Sequence, residues 1–326
     1  MKRLLKWIGG IFLALIILGI LGIYFSSQTR LKRIYEISEE NVLIPADDES
    51  VERGGHIFKF RGCEACHSAG GEAYASASTG PGMQSHLNPP SQDVPLMEGS
   101  IYLDDPAIGR VVASNLTTGA GGVGGGYTDA GWVRAIRHGV RMDGTPLLFM
   151  PSTEFYYLSD EDLGDVIAYV KSAPPVDNVL PKSQVSFAGR VVMTLVPQIT
   201  FIPAELIPHE AERPVAPAVG VTPEYGEYLS YSCKVCHGLT MSGGKIPGFP
   251  ASWPPAPNLT WGEGSALPNW DESGFMNTLR TGVTPDGIEL RGEYMPWTSF
   301  QHMNDDELRA VWAYLESLPT KAYGNR

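Results

Sequence analysis

Two five-residue stretches hold all four cysteines of this 326-residue chain, Cys63-Glu64-Ala65-Cys66-His67 and Cys233-Lys234-Val235-Cys236-His237. In a C-x-x-C-H run the two thiols are spaced to form thioether links to a haem's vinyl groups, and the next imidazole reaches the iron from the proximal side. Two other chemistries use paired cysteines. A zinc ribbon separates its two C-x-x-C pairs by roughly 15–20 residues, whereas Cys66 and Cys233 stand more than 160 apart. A thioredoxin-like dithiol needs no histidine next in line, and here one follows both times. The spacing therefore predicts two covalently bound haems c, with His67 and His237 as iron ligands.

The elements that must position these motifs also occur twice. Asp47 to Arg61 reads as a helix delivering Cys63, and Thr222-Pro223-Glu224 reads as the capped start of a helix delivering Cys233. Beyond each motif, Ser114-Asn115-Leu116-Thr117 matches Pro257-Asn258-Leu259-Thr260 at an offset of 143, as do Arg137 and Arg280, Gly139 and Gly282, and Asp143-Gly144 and Asp286-Gly287. Thr128 and Asp271 read as N-caps of short helices that stop at Gly139 and Gly282. At an offset of 145 the match continues through Met150-Pro151 and Met295-Pro296. It then runs into final helices in which Leu163, Val166, Ile167 and Val170 answer Leu308, Val311, Trp312 and Leu315. That i, i+3, i+4, i+7 spacing makes one apolar helix face. The chain is a tandem duplication.

The repeat selects the sixth iron ligand. Of ten methionines, Met150 and Met295 hold equivalent places, whereas Met83, Met97, Met142, Met241, Met276 and Met303 find no methionine at the aligned position. The expected pairs are His67/Met150 and His237/Met295, with His56, His86, His138, His209 and His302 as non-repeating competitors. Between Ser68 and Ser100 the first half carries a Gly/Ser/Pro-rich insertion of 27 residues, a surface loop or a docking loop.

Trp7 to Phe25 is 19 residues without a charge, about 28 Å of helix and close to a bilayer's hydrocarbon thickness. It exceeds the usual signal-peptide core and no A-x-A site follows, so an uncleaved anchor is expected. The expected boundaries are an anchor at 1–28, a juxtamembrane connector at 29–46, haem domains at 47–175 and 222–321, and a proline-rich linker at 176–221. The formal charge is −12, although residues 1–33 hold six basic side chains and no acid. An acidic globular part excludes nucleic acid as the expected partner and favours proteins with basic docking faces.

The two C-x-x-C-H runs, the two Asn-Leu-Thr segments, the G-V-x-x-D-G turns and the Met-Pro before an acidic-capped helix make the sequence similar to tandem class I cytochromes c. It resembles membrane-anchored cytochrome c subunits of periplasmic dehydrogenases and respiratory chains, over roughly residues 47 to 320. The resemblance implies a mainly α fold, an N-terminal transmembrane helix followed by one small bundle around each haem. It also implies electron transfer in the periplasm between a quinol-oxidising complex or dehydrogenase and a terminal oxidase or soluble cytochrome, freely or as a subunit of a larger membrane complex. C-type haem is attached on the outer face of bacterial energy-transducing membranes, so the N-terminus is expected in the cytoplasm and the haem domains in the periplasm. The competing reading is a dihaem redox enzyme, peroxidase-like or thiosulfate-oxidising, which needs one open iron position. Two equivalent methionines, and no catalytic acid or base near either motif, weigh against it.

Overall fold

A computed structural model describes residues 2–68, 97–196, 199–211, 215–249, 252–265 and 267–326. The chain is mostly helical. Helix α1 (Lys2–Leu31) is long and apolar enough to cross a membrane, and its side chains are exposed along nearly its whole length. It runs beyond residue 28 because its last turn is held. The Thr29 hydroxyl donates to the Phe25 carbonyl, and Arg30 pairs with Glu205 at 2.5 Å.

The first half contains α2 (Asp48–Phe60), α3 (Cys63–His67), strands β1 (Ser100–Asp105) and β2 (Gly109–Ala113), α4 (Asp129–His138), α5 (Ser152–Phe155) and α6 (Asp160–Ser172). The linker contributes β3 (Gln184–Val185) and α7 (Phe187–Leu195). The second half contains α8 (Pro223–Leu229), α9 (Tyr231–His237), α10 (Glu272–Thr281), α11 (Trp297–Phe300) and α12 (Asp305–Ser317). The caps are those the sequence predicts. Asp47, Thr128, Ser159, Thr222 and Asp271 accept from backbone N–H groups of their first turns, Gly139 and Gly282 end α4 and α10 with left-handed backbone, and Asn304 forms a full capping box with Glu307.

In each half the helix before the haem motif crosses the last helix, α2 on α6 and α8 on α12. Glycine makes the crossing close. A Cβ on Gly54 would lie 1.9 Å from the Asp165 carbonyl oxygen, and one on Gly226 would lie 1.9 Å from that of Ala310, two residues related by the 145 offset. Neither contact can yield, since both atoms are backbone. Gly226→Ala is therefore expected to destabilise the holoprotein by about 3 kcal/mol, the upper end of ordinary overpacking, in denaturant unfolding. Gly125→Ala, which meets nothing within 4 Å, should stay near wild type.

One contiguous core runs through both halves, from Phe58, Trp132, Leu163 and Ile167 to Tyr228, Phe275, Leu308 and Trp312. The halves meet through reciprocal contacts. His56 of α2 pairs with Glu307 of α12 at 2.8 Å, and the Tyr228 hydroxyl of α8 donates to Asp162 of α6; Asp162 and Glu307 are again 145 apart. A smaller core of Tyr35, Val140, Val185, Met193, Phe201, Ile202 and Ala204 ties the connector and the linker to the first half. The linker is thus structured. Its β3 pairs with β2, completing a three-stranded antiparallel sheet within the mainly α fold.

Candidate functional site

Each half builds the same constellation. The short helix α3, entered through left-handed Gly62, presents Cys63, Cys66 and His67, and α9 presents Cys233, Cys236 and His237. Among the described residues none of the four thiols is in a disulfide. Burial pushes them up, Cys63, Cys66 and Cys233 to about 12 and Cys236 to about 11.

The two imidazoles are oriented alike. His67 Nδ1 donates to the Ser114 carbonyl at 2.9 Å, and His237 Nδ1 donates to the Pro257 carbonyl at 2.9 Å. A carbonyl only accepts, so Nδ1 carries the proton and Nε2 presents its lone pair to a metal. Burial keeps both rings neutral, holding His67 below its ordinary value and His237 at about 4 despite those carbonyl bonds. Ser114 and Pro257 immediately precede the repeated Asn-Leu-Thr. Asn115 and Asn258 are buried there, each accepting from its own Thr117 or Thr260 and donating to the chain after the last helix, at Val176 or Lys321. Those loops are thereby fixed as rigid backstops for the histidines.

Met150 and Met295 are partly buried against the core, each at the head of a Met-Pro turn that opens α5 or α11. Both turns close alike, the Ser152 N–H donating to the Met150 carbonyl and the Trp297 N–H to the Met295 carbonyl, at 2.7 Å each. A second equivalent pair exists, which corrects the sequence expectation. Met97 and Met241 are both fully buried with positive φ (53° and 60°), and their carbonyls accept from Leu116 and Leu259 at 2.8 Å. The pair stands at an offset of 144, one residue from the 143 of the Asn-Leu-Thr segments, and so escapes a fixed-offset comparison. Two residues on, Gly99 and Gly243 donate to the His67 and His237 carbonyls at 2.9 Å. Backbone hydrogen bonds thus hold Met97 and Met241 in chain that closes on each histidine. Three competing histidines have other partners: His56 has Glu307, His138 has Glu40 and His209, and His209 has the Ala204 carbonyl. Met83, His86 and most of the 68–100 loop lie outside the described residues.

A haem fits these surroundings. The indole Nε1 atoms of Trp132 and Trp270, one in each half, are buried without a protein partner, and donors so placed suit the carboxylates of a porphyrin. Between the two sites lies a feature no local sequence signal announces. Arg61, two residues before Cys63, is buried and donates to the carbonyls of Tyr228 and Leu229 and to the Ser232 hydroxyl at 3.2–3.3 Å. Tyr157 stacks on Tyr231 with centroids 4.2 Å apart. The first motif's helix is thus locked to the second's.

The chain is 27% identical over 300 residues to the cytochrome c subunit of the quinone alcohol dehydrogenase of Gluconacetobacter polyoxogenes, covering 84% of this chain and 57% of that one. It is 26% identical to the fructose dehydrogenase cytochrome subunit of Gluconobacter japonicus, with 84% and 53% covered. Against a dihaem cytochrome c-type protein of Cereibacter sphaeroides identity is 24%, with 82% and 85% covered. The chain thus spans little more than half the length of the dehydrogenase subunits. The sequence profile described as Cytochrome c matches twice, over residues 51–174 and 224–319. With most of its length inside those two matches, the chain belongs to the cytochrome c family, whose haem c is bound covalently.

Proposed function

We propose that this chain is a membrane-anchored dihaem electron carrier with its N-terminus cytoplasmic and its haem domains, 47–175 and 222–321, in the periplasm. It serves as the cytochrome subunit of a dehydrogenase or quinol-oxidising complex and passes electrons to a terminal oxidase or soluble cytochrome. The observation that carries the reading is the site built twice with the same backbone supports. Bound haem c supplies a one-electron iron couple. Cys63 with Cys66, and Cys233 with Cys236, would hold it by thioethers, and His67 with Met150, and His237 with Met295, would be the iron ligands. A set filled on both faces in both halves leaves no coordination position for a substrate, which favours electron transfer over peroxidase-like or thiosulfate-oxidising chemistry. The relatives named above as cytochrome subunits of dehydrogenases support the partner class.

Carbon monoxide titration of the fully reduced protein, with haem quantified, tests this. Two haems per chain and no Soret change are expected. Ready binding at one iron would overturn the ligand assignment of that half and bring the enzymatic reading forward.

Glu154, on α5, adds a pH dependence. It is near enough to Ser232, Arg61, Cys63, Cys233 and Cys236 to act on them, and burial pushes its carboxyl up to about 7, with the Ser232 hydroxyl and Arg61 opposing. Oxidation adds positive charge nearby and so favours the carboxylate. The midpoint potentials should therefore fall as pH rises through about 7, by less than the limit of about 59 mV per pH unit for one proton and one electron. Spectroelectrochemistry from pH 5 to 9 should show this slope flattened in Glu154→Gln; an unchanged slope assigns it elsewhere.

A further inference from the structure

Helix α7 is apolar on two opposite faces. One faces the protein: Gly189 and Met193 are buried, and a Cβ on Gly189 would meet the Ile108 carbonyl oxygen at 2.4 Å. Ser186 caps the helix through the Gly189 N–H at 2.9 Å, which fixes how it turns. The other face carries Phe187 and Leu195, 49% and 63% exposed and eight residues apart, on one side of the helix. Val196 and Leu206, at 36% and 64%, are exposed just beyond. Side chains of this size left bare beside one another mark a contact surface.

The position of α7 names what covers it. The helix packs on the end of α1. Arg190 donates to the Ser27 hydroxyl and the Gln28 side chain at 3.0 Å each and lies over the Tyr24 ring at 5.2 Å. Arg30 donates to the Met193 carbonyl and pairs with Glu205, which sits beside Leu206. These contacts place α7 level with residues 24–30 of α1, where the uncharged span of residues 7–25 ends. With Trp7 and Tyr24 near the two ends of that span, the aromatic positions match the two interfaces of a bilayer. Lys32 and Arg33, both exposed, and Arg190 put positive charge at the same level, as anionic headgroups favour.

We propose that α7 is a second membrane element, lying in the headgroup layer with Phe187, Leu195, Val196 and Leu206 toward the acyl chains. The occupant of the bare face is the lipid surface itself. Through β3 and the smaller core, this contact holds the first haem domain at the membrane in one orientation rather than leaving it on a free tether. The proposal rests on the reading of α1 as a membrane anchor.

The test uses full-length, haem-loaded protein in nanodiscs of phosphatidylcholine and phosphatidylglycerol, kept oxidised so that no reductant consumes the nitroxide or the oxygen, with a nitrogen-equilibrated sample of each variant as the baseline that removes relaxation by ferric iron. Nitroxides are attached at Leu195→Cys and, in a separate chain, at Phe187→Cys, the four native cysteines being consumed as thioethers. Leu15→Cys within α1 and Ile288→Cys in the second half, where Ile288 is 61% exposed, serve as the lipid and water references. The ratio of collisional relaxation by oxygen to that by a water-soluble nickel chelate reads lipid contact. At either α7 position the ratio should be at least about threefold that at Ile288, as for side chains buried at the acyl boundary. Equality with Ile288 at both α7 positions, while Leu15 reads as lipid, overturns the proposal and spares the anchor. An aqueous reading at Leu15 as well overturns both. Spin–spin broadening at Leu195 without an oxygen preference would show a second copy on that face and equally overturn it.

Discussion

Met295→His is expected to lower the reduction potential of the second haem by on the order of 0.2 V, well inside the roughly 0.8 V that axial ligation spans, and Met150→His to do so for the first. A thioether favours the reduced iron, and an imidazole in its place removes that preference. The two shifts should be separable because different contacts hold the two turns. The Phe149 N–H donates to the Phe201 carbonyl of the linker at 3.0 Å, with φ at +61°, whereas the Met295 N–H donates to the Arg291 carbonyl, within its own half, at 3.0 Å. A redox titration resolving two one-electron waves should show one wave displaced in each variant and the other within a few tens of millivolts of wild type. Met97→Leu and Met241→Leu, at the fully buried pair with positive φ, are the contrasting pair and should leave both waves in place. A large shift from either of these, with none from the histidine variants, would exchange the assignments.

Much of this site is legible in the amino-acid sequence because its signals are local. A C-x-x-C-H run, a Thr or Asp capping a helix start, and a glycine at a left-handed stop each act within one turn of chain. The repeated final helices are equally plain, since their apolar period is carried by residues at most seven apart. What is not legible depends on residues distant in sequence. The hairpin of β1 and β2 is interrupted between Ile101 and Leu103 by an irregularity in pairing and turns on Asp105, whose carboxylate accepts from the Ala107 and Ile108 N–H groups; two adjacent aspartates in a short strand hide its alternation. A one-residue difference between Met97 and Asn115 on one side, and Met241 and Asn258 on the other, masks the equivalence of the two methionines. Arg61, Glu154 and the pairs of His56 with Glu307 and Tyr228 with Asp162 take their roles only once the halves pack together, and nothing in either half's own pattern requires them. The linker reads as an apolar run broken by Pro197 and Pro203 and packed on the domains, and Ser186, Gly189 and Met193 give it a capped helix with a buried face that the prolines conceal.

Arg137→Met should cost about 3–5 kcal/mol in guanidinium unfolding of the haem-loaded protein, the range for removing one member of a buried ion pair. Its repeat partner, Arg280→Met, should cost about 1 kcal/mol or less, as for a solvent-screened pair. The sequence aligns the two arginines, yet their surroundings differ. Arg137 is fully buried: it donates to Glu40 at 2.5 Å, to Asp160 at 2.9 Å and to the Leu158 carbonyl at 3.0 Å. Arg280, its side chain 33% exposed, reaches Asp305 at 2.8 Å and the Gln301 carbonyl. Both hold the start of the last helix to the helix before the Met-Pro turn, but only Arg137 also grips the connector that leads from α1. Glu40 is at the same time bound to the buried His138 at 2.8 Å, so loss of the guanidinium leaves a carboxylate and an imidazole enclosed with less compensating charge. Equal costs for the two variants would mean that Glu40 re-solvates freely and that the connector is not clamped. The expected inequality would mean that the first half is stabilised by the chain emerging from α1, and that its stability is coupled to that helix in a way the second half's is not.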